Sequence, residues 1–78
     1  MQDRAKQIVV EYLTETYEDI KFSVDDVYVV WFCKTLQNWK ALLSTDAVDR
    51  MYFEVTHNGD KNETYVDVYE KRENYVIR

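Results

Sequence analysis

The stretch from Met51 to Tyr69 constrains this chain more than any other. It reads MYFEVTHNGDKNETYVDVY. On both sides of Asn58-Gly59-Asp60, apolar and polar residues alternate with the period of two that a half-buried strand requires. Gly59 is the only glycine of the chain, and there is no proline. Asn-Gly between two alternating runs predicts a hairpin, because tight hairpin turns favour residues that tolerate positive φ. Strands are therefore expected at about 51–57 and 63–69. Met51, Phe53, Val55, Val66 and Val68 fall on one face. Tyr52, Glu54 and Thr56 fall on the other, with Tyr65, Asp67 and Tyr69.

Upstream, Val27 to Gln37 is β-branched and aromatic with no helical stripe, which reads as a strand over 27–37. Asn38 and Trp39 are the expected turn, and 40–45 is the returning strand. The N-terminal segment has a different period. Ala5, Ile8, Val9, Tyr12, Leu13, Thr16 and Tyr17 recur every three or four residues, so a helix over about 3–18 is expected, with Asp3 at its start. Between helix and first strand, Ile20, Phe22 and Val24 alternate, and Ser23, Asp25 and Asp26 offer turn chemistry. The tail from Glu70 breaks the alternation. Its Tyr75, Val76 and Ile77 are expected to dock on the helix or to extend a strand.

These elements predict an α+β fold, one N-terminal amphipathic helix packed on a four-stranded, mostly antiparallel sheet, with residues 1–78 as a single small domain. The expected core is Ile8, Val9, Tyr12, Leu13, Phe53, Val55, Val66 and Val68. A chain this short hides only about 60% of its unfolded surface. Its 12 aromatics (seven Tyr, three Phe, two Trp) offset that, because each ring removes a large apolar area from water.

Composition excludes several function classes. With one cysteine and one histidine, neither an intrachain disulfide nor a structural zinc site of about four N/S ligands can form. A lone Cys33 fits a reducing compartment. The longest apolar run, Val27 to Cys33, falls far below the ~20 residues of a membrane-spanning helix. MQDRAKQIVVEYL lacks a charged leader followed by a long apolar stretch, so no signal peptide is expected and a cytoplasmic location is. Fifteen acidic against 10 basic residues give a net charge of −5, which disfavours a general phosphate-binding surface.

The blocks WFCKTLQNWKALLST and NGDK, within a stretch from Val24 to Asn74, resemble a family of short proteins of phages and prophages of Gram-positive bacteria. Arg72 stands where the family pattern has an aromatic. The resemblance implies a bacterial cytoplasmic setting and an accessory role, and it carries no catalytic or binding residues with it.

No catalytic constellation is visible. Cys33 and His57 are the only pair with nucleophile and base chemistry. Cys33, inside an apolar strand, reads as a small hydrophobe, and His57 as a polar residue beside a turn. Asp25, Asp26, Asp46 and Asp49 match no cation-loop spacing. No enzyme activity and no cofactor are expected.

The aromatics carry the functional reading. In strand 27–37 both alternating sets are apolar: Val27, Val29, Trp31 and Cys33 against Tyr28, Val30 and Phe32. Such a strand is usually buried on both sides, and one helix buries only one. Either the tail covers the second face or another molecule does. Tyr52, Glu54, Tyr65, Asp67 and Tyr69 are the candidate partner-binding residues, and Trp39 is a separate candidate as an exposed indole at a turn. A sheet of aromatics can stack nucleic-acid bases, but Glu54 and Asp67 among the tyrosines oppose phosphate. They fit a protein partner with a basic surface, or self-association as a homodimer.

Overall fold

The computed structural model describes residues 2–48, 51–73 and 75–77. Helix α1 spans Gln2–Thr16, and strands β1 Val27–Thr35, β2 Asn38–Thr45, β3 Met51–Asn58 and β4 Glu63–Glu70 form an antiparallel meander in the order β1-β2-β3-β4. The fold is α+β, one N-terminal helix on a four-stranded antiparallel sheet.

The helix forms because its apolar residues make one stripe. Ala5, Val9 and Leu13, one turn apart, are fully buried, and Ile8, Val10 and Tyr12 flank them. Helical structure already begins at Gln2, so Asp3 sits inside the first turn rather than before it. There its carboxylate faces the positive end of the helix dipole. The helix closes near Thr16, whose hydroxyl donates to the Tyr12 carbonyl at 2.7 Å. Tyr17 follows and fastens the connector. Its ring lies 6.1 Å from that of Phe22, and its hydroxyl donates to Met51 Sδ at 3.5 Å.

The connector is extended at Ser23, in keeping with the alternation of Ile20, Phe22 and Val24, but it forms no strand. It ends in a 3-10 turn at Val24–Asp26. Ser23 N–H donates to Asp26 Oδ2 at 2.9 Å, and Asp26 N–H donates to the Ser23 carbonyl at 3.0 Å. These local bonds hold residues 24–26 in the turn. Thr45 ties this turn to the sheet by donating to the Asp26 carbonyl at 2.5 Å.

Facing residues in the ladders sort the side chains into rows. One face, under α1, carries the rows Val29–Leu43–Phe53–Val68 and Phe32–Ala41–Val55–Val66. Phe53, Leu43 and Val55 are fully buried there with Val9 and Leu13. Each such side chain contributes about 1.5–3 kcal/mol by leaving water. Tyr12 meets Phe53 edge to face at 5.8 Å and 63°.

α1 packs over β1 and β2, so the helix side of β4 is left uncovered. Val68 is consequently 38% exposed, not a core residue as its alternation predicts, while Val66 is half-buried against the core.

The first hairpin turns at Leu36-Gln37, two residues earlier than expected, and Thr35 pairs with Asn38. Leu36 holds φ 55, a left-handed conformation that costs a leucine roughly 1–2 kcal/mol. The shift moves Trp39 from the expected turn into β2. It is buried, 7% exposed, with its ring 5.9 Å from Phe32 and stacked on His57 at 5.5 Å.

The second hairpin has a four-residue loop, with Asn58 paired to Glu63. Asn58 Oδ1 accepts from the N–H of Asp60 at 3.1 Å and of Lys61 at 3.3 Å, an Asx-type turn. The left-handed position is Asn62, at φ 52, and Gly59 has no positive φ. Glycine is required at 59 for another reason. A Cβ there would lie 2.2 Å from the Gln37 carbonyl oxygen, because the two hairpin tips pack on each other. Gly59 N–H donates to Asn38 Oδ1 at 2.9 Å, and the Gln37 amide donates to Asp60.

Candidate interaction face

The face of the sheet away from α1 is open to solvent. Its rows are Tyr28–Ser44–Tyr52–Tyr69, then Trp31–Leu42–Glu54–Asp67, then Cys33–Lys40–Thr56–Tyr65. Five aromatics therefore share this face with Glu54 and Asp67, and Glu63 lies on it at the start of β4. Tyr28, Trp31, Tyr65 and Tyr69 are all about half exposed, Trp31 at 44% and Tyr65 at 51%.

A β-bulge explains why β1 looked apolar on both sides. The register slips between Val29 and Trp31, leaving Val30 without a partner. An extra residue reverses the alternation. Val27 and Val29 face the helix before the bulge, and Phe32 does so after it. Trp31 and Cys33 are sent to the open face. Cys33 is thus an exposed thiol rather than a packed one. The described tail residues do not cover this face, nor do they dock on the helix. Tyr75, Val76 and Ile77 are exposed and outside any strand.

Of the sequence candidates, Tyr52, Glu54, Tyr65, Asp67 and Tyr69 lie together on the open face. Trp39 does not join them, because it is packed on the helix side. Tyr28, Trp31, Lys40 and Leu42 belong to the face and were not among the candidates. Burial of Trp39 and exposure of Trp31 both follow from details of backbone that alternation alone does not show.

The electrostatics of this face are unusual for an antiparallel sheet. Glu54 and Asp67 are directly opposed across β3 and β4, a like-charge pair that costs stability. Lys40 Nζ approaches Glu54 at 3.8 Å and is the only ion pair among the described residues. Exposed pairs of this kind contribute about 0–1 kcal/mol. The carboxylates also act on their neighbours. The Glu54 charge, burial and the Asp67 charge push the Tyr69 phenol above its ordinary 10.0. Tyr65 is pushed up chiefly by its hydrogen bond to Glu63 and by that group's charge. At the hairpin end of β1 and β2 is an open trough of about 300 Å³ bordered by Trp31, Cys33, Lys40 and Thr56 and also by Trp39 and His57.

Cys33 and His57, the pair with nucleophile and base chemistry, both border this trough but stand in rows of opposite faces. Cys33 belongs to an open-face row, whereas His57 shares the helix-side row of Trp39. The His57 ring is occupied by Trp39 and by a hydrogen bond of Nδ1 to Thr64 Oγ1 at 2.8 Å. No group of three or more His, Cys, Asp or Glu could hold a metal among the described residues. Asp49, one of the acidic candidates, lies outside them. No helix among the described residues is long and apolar enough to cross a membrane.

Fold and face together define a small helix-on-meander domain with one covered and one open sheet face. The chain belongs to a family of unknown function, DUF6275, whose model matches residues 2–78. No curated protein and no solved structure matches it.

Proposed function

We propose that this protein is a non-enzymatic binding module that grips a protein partner with the open sheet face. The observation that carries the reading is the opposed Glu54–Asp67 pair set among Trp31, Tyr52, Tyr65 and Tyr69. Half-exposed aromatics supply apolar area at small entropic cost, which is the composition of interface centres. Two carboxylates facing each other are relieved when a lysine or arginine arrives between them, and aromatic faces add cation–π attraction. A basic protein surface therefore suits the face. A phosphate backbone does not, since Lys40 is its one base and is already paired with Glu54.

A hetero-partner is favoured over self-association. Two copies stacked face to face would bring Glu54 and Asp67 against their own equivalents, and each chain carries −5. The setting that the sequence resemblance implies, a phage or prophage accessory protein in a bacterial cytoplasm, would make that partner a host protein.

The test compares the wild-type chain with a Tyr65→Ala/Tyr69→Ala double variant. Both rings are half exposed, so the variant should keep the wild-type circular dichroism spectrum. Affinity capture from a bacterial lysate, followed by binding of the purified captured protein, should show a complex that the variant loses. Light scattering should give a monomer mass for both. A partner retained equally by the double variant would remove the face from the function, and a wild-type dimer that the variant dissolves would turn the reading to self-association.

A further inference from the structure

The meander leaves two strand edges free, β1 and β4, and they differ. The β1 edge is broken by the bulge at Val30 and is flanked by α1 and the turn at Val24–Asp26. Bulges and covering elements are the usual protection of an edge. β4 has neither. It pairs with β3 from end to end, Met51 with Glu70 through Asn58 with Glu63, with no slip in register. It contains no proline and no lysine, and every residue but Val66 is exposed. In an antiparallel ladder alternate residues send both N–H and C=O away from their partner strand, so half of the β4 backbone groups face water.

The charges on this edge choose among possible occupants. On the open face β4 presents Glu63, Tyr65, Asp67 and Tyr69 in turn, and Glu70 follows on the other side. The strand thus holds three carboxylates and no base. A second copy of β4 would bring three more carboxylates across a spacing of about 4.8 Å, which like-charge repulsion opposes. A strand with lysine or arginine at alternate positions would place those cations beside Asp67 and Glu63, on the same face as Glu54.

We propose that the β4 edge accepts an extended basic segment of the partner as a fifth, antiparallel strand, its cationic side chains lying over the acidic and aromatic open face. This rests on the reading of that face as the binding surface and adds how the partner is held: main-chain hydrogen bonds along β4 give affinity, and the carboxylates give sign and register.

The experiment uses the full chain and a synthetic eight-residue peptide alternating valine and arginine, with a valine–glutamate peptide as control. Amide exchange by NMR reads each β4 residue. The expected result is that alternate β4 amides, fast in the free protein, become protected by the valine–arginine peptide and not by the control. Asp67→Lys, an exposed change, should weaken binding by at least about tenfold while leaving the free spectrum otherwise native. Binding that depends on Tyr65 and Tyr69 but leaves the β4 amides unprotected would overturn strand addition and leave the face reading standing. Absence of binding would also overturn strand addition, and the face reading would then stand or fall on the captured partner. Equal protection by both peptides would refute the role of charge in choosing the occupant.

Discussion

Gly59 offers the sharpest quantitative test of how the two hairpins fit together. In Gly59→Ala the new Cβ would sit 2.2 Å from the Gln37 carbonyl oxygen and 2.7 Å from Gln37 Cβ and Cγ. The first contact is with backbone, so no side-chain rotation relieves it. The hairpin tips must separate by roughly an ångström, an overpacking cost of about 1–3 kcal/mol. Separation also weakens the hydrogen bond from Gly59 N–H to Asn38 Oδ1, now 2.9 Å, at about 1 kcal/mol. Against this, alanine reduces the freedom of the unfolded chain and returns about 0.4–1 kcal/mol. The net expectation is a loss of about 1–3 kcal/mol, a large share of the ~4–12 kcal/mol that a chain of this size holds.

Urea unfolding monitored by tryptophan fluorescence measures this, and the melting temperature should fall by roughly 5–20 °C. The reasoning makes a second, more discriminating claim. If glycine were needed for positive φ, as Asn-Gly turns suggest, Gly59→Asn would be tolerated. Because the obstacle is space, asparagine should cost at least as much as alanine, and Gln37→Gly should rescue little, since the carbonyl oxygen stays. A Gly59→Ala variant within about 0.5 kcal/mol of wild type, or a benign Gly59→Asn, would refute the packing of the tips.

Leu36, at φ 55 and exposed on the neighbouring tip, should behave in the opposite sense: Leu36→Gly relieves a strain of about 1–2 kcal/mol at an entropic cost of about 0.5–1 kcal/mol, and thermal unfolding should show a gain of up to about 1.5 kcal/mol. The phenols of Tyr65 and Tyr69 are expected to ionise above the ordinary 10.0, and near-UV absorbance should show Glu63→Gln bringing Tyr65 back down. The sign for stability follows. The unfolded chain loses these protons first, so their contribution is fully present below pH 10.0 and disappears as pH rises through the folded-state values. An alkaline limb unchanged by Tyr65→Phe/Tyr69→Phe would contradict this.

Periodicity made the architecture legible. A stripe of period 3.6 from Ala5 to Tyr17 and period-two runs around Asn58-Gly59 leave few other ways to bury Val9, Leu13, Phe53 and Val55. The failures came where one residue changes parity or a partner lies far away in sequence. Trp39 looked like a turn residue because Asn38 is a good turn former, yet the turn sits on Leu36, a residue that resists the left-handed conformation it adopts. Gly59 looked like a φ device because its true constraint, Gln37, is distant in the chain. Val68 obeyed the alternation but lay beyond the reach of a helix that packs on β1 and β2.

The open face was half legible for the same reason. β3 and β4 alternate cleanly, so Tyr52, Glu54, Tyr65, Asp67 and Tyr69 could be placed on it from spacing alone. β1 could not be sorted, since the bulge at Val30 exchanges its faces midway and hides Trp31 in an unbroken apolar run. That bulge has two effects that bear on function. It turns Trp31 toward the open face, at the head of the row that ends in Glu54 and Asp67. It also spoils the β1 edge for pairing. The same local irregularity thus enlarges the aromatic surface and leaves β4 as the one regular edge, and β4 is the strand whose carboxylates border that surface. Deleting Val30 should therefore separate the two effects: Val29 and Trp31 already face the consecutive Leu43 and Leu42, so the ladder closes and only the irregularity of the β1 edge is lost. Trp31 and Cys33 should keep the open face and Phe32 its contact with Trp39, so tryptophan fluorescence should stay native, and a shift of Trp31 to the helix side would refute the assigned register.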